Sequence, residues 1–132
     1  MIGVDTNVLV RYITQDDEAQ SIVAGNWIEE TCSIESPGWI SVIVLCEIVW
    51  VLSRAYGYDR ETIQQVLQQI FQAGELAVEQ QESAWSALRD YAQGSADFSD
   101  YLIAHMNHSA GCKYTVTFDR KASTHRLVRL LK

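Results

Sequence analysis

The stretch VIVLCEIVWVL, Val42 to Leu52, constrains this chain more than any other, being eleven residues long and apolar throughout except for Glu47. It is too short to span a membrane and carries a glutamate. It sits between Ser41, a good N-cap, and Gly57, a good helix stop, and so predicts a helix from Val42 to about Tyr56. A helix apolar on every side is buried among other elements. Glu47 has Ile43, Val44, Trp50 and Val51 as its i±3 and i±4 neighbours, and no arginine partner is obvious nearby in sequence. A carboxylate held there costs roughly several kcal/mol unless a partner, a metal or a proton meets it.

The rest of the chain alternates. Met1–Val4 reads as a buried strand ending at Asp5. Asn7–Tyr12 opens a helical turn, and the cluster Asp16, Asp17, Glu18 suits the start of a helix running to about Glu30. Pro37-Gly38 punctuates the chain before Ser41. Asp59 caps a third helix on Ile63, Val66, Leu67, Ile70 and Phe71, which ends at Gly74. A short strand, Leu76–Val78, and a helix over Glu82–Tyr91 follow. Asp97 and Ser99 lead a further helix that Gly111 stops, and Lys113–Phe118 is a strand ending at Asp119. Thr124–Leu131 closes the chain as a helix or a strand. Strands alternating with helices over 132 residues, without linker or repeat, predict one α/β domain, residues 1–132, with a mostly parallel sheet.

Three cysteines, Cys32, Cys46 and Cys112, are odd in number and widely spaced. This predicts reduced thiols, with Cys46 in the core, and no zinc knuckle. No leader-like or membrane-spanning segment is evident, so the expectation is a cytoplasmic protein without membrane contact. The net charge of −7 disfavours nucleic acid, but its distribution does not. The last twenty residues hold Lys113, Arg120, Lys121, Arg126, Arg129 and Lys132 against Asp119 alone, while the first 112 hold four arginines against sixteen acids. A basic segment beside an acidic pocket can grip phosphates; a solvated amphipathic end is the plainer reading.

The chemistry lies in the acids. Asp5 and Asp119 each follow a predicted strand, and ligands of open parallel sheets bind at the carboxyl ends of strands. Asp97 and Asp100, three apart, share one face at a helix start. Several carboxylates in one pocket need a cation, and Mg²⁺ or Mn²⁺ is the choice for phosphate chemistry. Taken singly, each acid has a simpler use: Asp5 as a turn residue, Asp97 as a helix cap, Asp100 on the helix dipole, Asp119 in a surface ion pair. His105 and His108, at i and i+3, lack a third ligand in view and read as structural or surface residues.

In order along the chain, MIGVDTNVLVRYI, SVIVLCEIVWVL, GSADFSDYLIAH and CKYTVTFDRKA resemble the successive motifs of the PIN-domain ribonucleases, and among them the VapC-like toxins of type II toxin–antitoxin pairs. The resemblance spans essentially the whole chain. It implies a PIN-like three-layer α/β/α domain. It implies that Asp5, Glu47, Asp100 and Asp119 are the catalytic acids, with Asp5, Asp100, Asp119 and the accessory Asp97 on Mg²⁺ or Mn²⁺. Thr6 and Asn7 match the polar positions beside the first acid, Thr117 the hydroxyl two before the last, and Arg120 stands beside it. The pattern departs at His105, where relatives carry a small residue.

The activity so implied is hydrolysis of phosphodiester bonds in structured RNA, transfer or ribosomal, by a toxin with a cognate antitoxin and a homodimeric form. Either Glu47 or Asp100 would orient the attacking water. The tryptophans Trp27, Trp39 and Trp50 read as core, or else as a groove for a partner. Two rival classes remain: a phosphoryl-transfer domain of receiver or phosphatase type, and a non-catalytic PIN-like RNA-binding module. The DTNVL sequence after the first strand fits the first rival poorly, and the intact acids weigh against the second.

Overall fold

A computed structural model describes residues Met1–Lys132. The chain forms two compact units, Met1–Glu79 and Gln80–Lys132.

In the first unit, β1 (Ile2–Gly3), β2 (Gly38–Ile40) and β3 (Leu76–Val78) make a parallel sheet in the order β1-β2-β3. The central strand β2 was hidden in the sequence, where Pro37-Gly38 reads only as punctuation. Three residues beginning with glycine show no alternation to detect. Gly38 suits this position, because a Cβ would lie 2.9 Å from Val4 Cγ2 and 3.1 Å from Cys32 Sγ and would force those side chains to shift.

Parallel neighbours need crossovers, and helices supply them: α1 (Thr6–Thr14) and α2 (Glu18–Thr31) between β1 and β2, then α3 (Val42–Arg54) and α4 (Arg60–Gln72) between β2 and β3. Asp17, Ser41 and Asp59 cap α2, α3 and α4, each accepting from the backbone N–H three residues on. Gly57 follows α3 at φ +67°, and Tyr58 N–H closes that end on the Leu52 carbonyl. Leu9, Ile28, Ile40, Leu45, Ile48 and Leu67 are completely or almost completely buried. Arg11 joins Asp16, Gln20 and Tyr56 in a polar network at the unit's surface.

The helix α3 is less buried than its composition predicts. Leu45, Ile48 and Leu52 face inward, but Ile43 is 70% and Trp50 59% exposed. Trp50 therefore is not a core residue; the Arg54 guanidinium covers its ring at 4.2 Å. Trp27 and Trp39 are half-buried, as is Cys46, whose thiol burial pushes up. All three cysteines are free.

In the second unit, α5 (Gln81–Gln93) packs on α6 (Phe98–Ser109), and β4 (Thr115–Thr117) pairs in parallel with β5 (Val128–Leu130) through a 3-10 turn, Ala122–Thr124. Ser83, Ala84, Ala87, Leu88 and Tyr91 repeat at helical spacing and are buried, and the small residues let the helices approach. Tyr91 meets Phe98 edge to face at 6.0 Å. The last segment is thus strand rather than helix. The class is α/β with every strand pair parallel, as expected, although the strands form two ladders and not one. No helix is long and apolar enough to cross a membrane.

Phe98 is fully buried, so Phe98→Ala should lower unfolding free energy by about 3–5 kcal/mol in urea denaturation, against less than about 0.5 for a control at exposed Ala92.

Candidate functional site

In the first unit, β1 ends two residues before Asp5, which takes the N-cap position of α1 with an extended backbone. Its side chain makes no cap hydrogen bond and is exposed. The turn is not what Asp5 serves. The next residue, Thr6, is buried and donates from Oγ1 to Glu47 Oε1 at 2.9 Å. That bond answers what Glu47 is paired with. It also corrects the buried reading of Glu47: its residue is exposed, on the same outward face of α3 as Ile43 and Trp50. The apolar run misled because one face of this helix is left uncovered. Asn7 is exposed, and Asp5 and Asn7 both border a largely apolar groove of about 660 Å³ that reaches Arg11, Val23 and Trp27.

In the second unit, Asp97, Asp100 and Asp119 line one pocket of about 430 Å³ with Ser95, Ala96, Arg120 and Lys121. Asp97 stands at the N-cap of α6, and its backbone N–H donates to Asp100 Oδ2 at 3.3 Å. Asp100 is half-buried, and its carboxyl is raised above the ordinary value of 3.8, first by burial and further by the charges of Asp119 and Asp97. Asp119 follows β4. Its N–H donates to Thr117 Oγ1 at 3.0 Å, and its Oδ1 accepts the Ala122 N–H at 3.0 Å, capping the turn. Thr117 thus fixes the backbone that carries the acid. No carboxylate pairs with Arg120 or Lys121, so the ion-pair reading of Asp119 fails.

The donor set of this pocket is oxygen only, which suits a hard divalent ion, and the upward push on Asp100 is the unfavourable energy a cation would relieve.

Sequence reasoning missed a second cluster. Asp90 on α5 accepts from Nε2 of His105 on α6 at 2.5 Å and of His125 at 2.7 Å. His105 does have partners, fifteen and twenty residues away, and does not border the acidic pocket. No local spacing could have joined these three; His108 is exposed and stands apart from them.

The PIN domain family profile matches residues 2–126. This chain belongs to the PIN domain family. No curated protein and no solved structure matches it. A PIN domain is a nuclease-type fold, and PIN domains typically work with divalent metal ions, so membership supports an enzyme and a metal-dependent chemistry. Receiver and phosphatase domains are other families. The departure at His105 leaves the acidic pocket of this PIN domain untouched, because that ring turns to Asp90.

Two outcomes follow. Thr6→Val should destabilise the protein by about 1 kcal/mol in urea denaturation, and Thr6→Ser by less, because only the former removes the donor to Glu47. For Asp90, burial acts to raise the carboxyl but the two histidine bonds outweigh it, so its folded value lies below the ordinary 3.8. A depressed carboxylate stabilises the fold above its unfolded value and loses that contribution as pH falls through the folded one. The gap in melting temperature between wild type and Asp90→Asn should therefore be full at neutral pH and close in acid below about pH 3.8.

Proposed function

We propose that this PIN domain is a metal-dependent endoribonuclease, the toxin of a VapC-like toxin–antitoxin pair acting on structured RNA in the cytoplasm, and that residues 1–132 work as one domain. The observation that carries the reading is the all-oxygen pocket of Asp97, Asp100 and Asp119 with two unpaired cations, Arg120 and Lys121, on its border.

Asp97, Asp100 and Asp119 would hold Mg²⁺ or Mn²⁺, and Asp5 is the further ligand that the family resemblance implies. A bound ion supplies charge stabilisation at the scissile phosphate and an acidified water. The chain's own groups do the rest. Glu47, held at Oε1 by Thr6, keeps Oε2 available to orient a water, and Asp100, with its raised carboxyl, is the competing candidate for that proton-handling role. Thr117 holds the Asp119 backbone, and Asn7 is exposed beside Asp5 and can donate to a phosphate oxygen. Arg120 and Lys121 supply the positive charge a polyanion needs.

The apolar groove along α1 and α2, with exposed Ile22 and Val23 on the same helix, supports a protein partner, for which an antitoxin segment is the choice. A homodimer is the corresponding reading of exposed Ile43 and Trp50 on α3.

Purified protein should cut total cellular RNA with Mn²⁺ and not with chelator. Asp5→Asn, Asp100→Asn and Asp119→Asn should each lower cleavage at least about 100-fold. Without metal, Asp100→Asn should melt at the wild-type temperature or above it, since it removes a charge disfavoured by burial first and then by Asp119 and Asp97. Cleavage that persists in both Asp5→Asn and Asp119→Asn would defeat the assignment, and failure of Mg²⁺ or Mn²⁺ to raise the melting temperature would favour a non-catalytic module.

A further inference from the structure

The nuclease reading leaves unused the cluster of Asp90, His105 and His125, whose ligand-type atoms lie within 4.8 Å of one another. Two imidazoles and a carboxylate could hold a transition metal, but the hydrogens decide otherwise. Both Nε2 atoms reach the same oxygen, Asp90 Oδ2. An ionised carboxylate only accepts, so each Nε2 carries a hydrogen. His125 agrees from its other side: Nδ1 accepts the Leu127 N–H at 3.1 Å, which leaves the hydrogen of the neutral ring on Nε2. An ion on that nitrogen would have to displace the hydrogen while Nδ1 stays occupied by a donor. The cluster is a hydrogen-bonded clamp.

What it clamps is the segment that begins at Asp119. Asp119 accepts the Ala122 N–H on its carboxylate and the Ser123 N–H on its carbonyl, and the His125 N–H returns to the Ala122 carbonyl. The run is tight from Asp119 to His125, and the His125–Asp90 bond fastens it to α5. The Tyr101 ring lies 5.6 Å from that of His125, and its hydroxyl accepts the N–H of Ala96, which lines the acidic pocket. Gly94 admits that hydroxyl, because a Cβ there would collide with it.

We propose that Asp90 is a positioning residue of the acidic pocket: as shared acceptor for His105 and His125 it fixes the Asp119–His125 segment against α5 and α6, and with it the spacing of Asp119 from Asp97 and Asp100. The functional consequence rests on the reading of that pocket as a cation site; the fastening itself does not.

Two measurements separate them. Amide hydrogen exchange should quicken about tenfold or more at Ala122 and Leu127 in Asp90→Asn, with Leu102 in α6 unchanged. The Mn²⁺ concentration for half-saturation, read by electron paramagnetic resonance of the free ion, should rise about fivefold or more. His125→Leu should match Asp90→Asn, and His125→Gln, which keeps a donor near the Nε2 position, should recover most of the loss. This pair also decides the matter if Asp90→Asn does not fold.

Unchanged exchange at Ala122 in folded variants would overturn the clamp, as would Zn²⁺ raising the melting temperature of wild type but not of Asp90→Asn. Quickened exchange with unaltered Mn²⁺ affinity would overturn its effect on the pocket. Wild type that binds Mn²⁺ and cuts no RNA would sink the nuclease reading and leave this one standing.

Discussion

Three carboxylates bordering one pocket repel one another, and much of the second unit's local structure is what keeps them there. The cost is visible at Asp100, whose proton is held more tightly than an ordinary carboxyl's by burial and by the charges of Asp119 and Asp97. Two of the three, Asp100 and Asp119, are not left to side-chain rotamers alone. The Asp97 N–H fixes Asp100, the Ala122 N–H fixes Asp119, and the Asp119 N–H is itself held on Thr117 Oγ1. Backbone donors cannot rotate away, so these two acids stay in place without a cation to gather them. That is the preorganisation a metal site would need: the repulsion is met on folding, and a bound ion would relieve it.

The first unit uses a different donor for its own acid. Glu47 is out in solvent, so it carries no large desolvation cost, and its orientation depends on a single neutral hydroxyl from a buried threonine. Thr6 can do this because α1 begins directly after Asp5, turning the first residue of the helix inward while Asp5 and Asn7 stay exposed. The sequence DTN thus alternates outward, inward, outward, and the middle residue locks the acid on a helix forty-one positions away.

Local signals were legible where chemistry and periodicity coincided. Ser41 and Asp59 as caps, Gly57 and Gly111 as stops at positive φ, and the strand-end placement of Asp119 were all readable, because each is decided within a few residues. β2 was not, since a three-residue central strand is defined by its neighbours, β1 and β3, and not by its own pattern. The apolar run of α3 overstates its burial for a related reason: it says that burial is possible, and only tertiary structure says which face is covered. Asp90 and His125 escaped altogether. Their partners are fifteen and thirty-five residues away, and a lone Asp in a helix or a lone His after a turn looks like a solvated residue.

The acidic balance of the chain then ceases to be a difficulty for the proposed polyanionic substrate. Long-range repulsion follows net charge and is screened within about 8–10 Å at physiological ionic strength. Contact, by contrast, follows what lies at the pocket's border, and there Arg120 and Lys121 are exposed and unpaired. Asp119, their neighbour in sequence, accepts the Ala122 N–H at Oδ1. The backbone carbonyls of Arg120 and Lys121 accept from the Ser123 and Thr124 hydroxyls, so the turn is held by groups other than the two cations. The turn that shapes the acid is therefore built without its cations, which stand in solvent, where the phosphate of the proposed substrate would meet them.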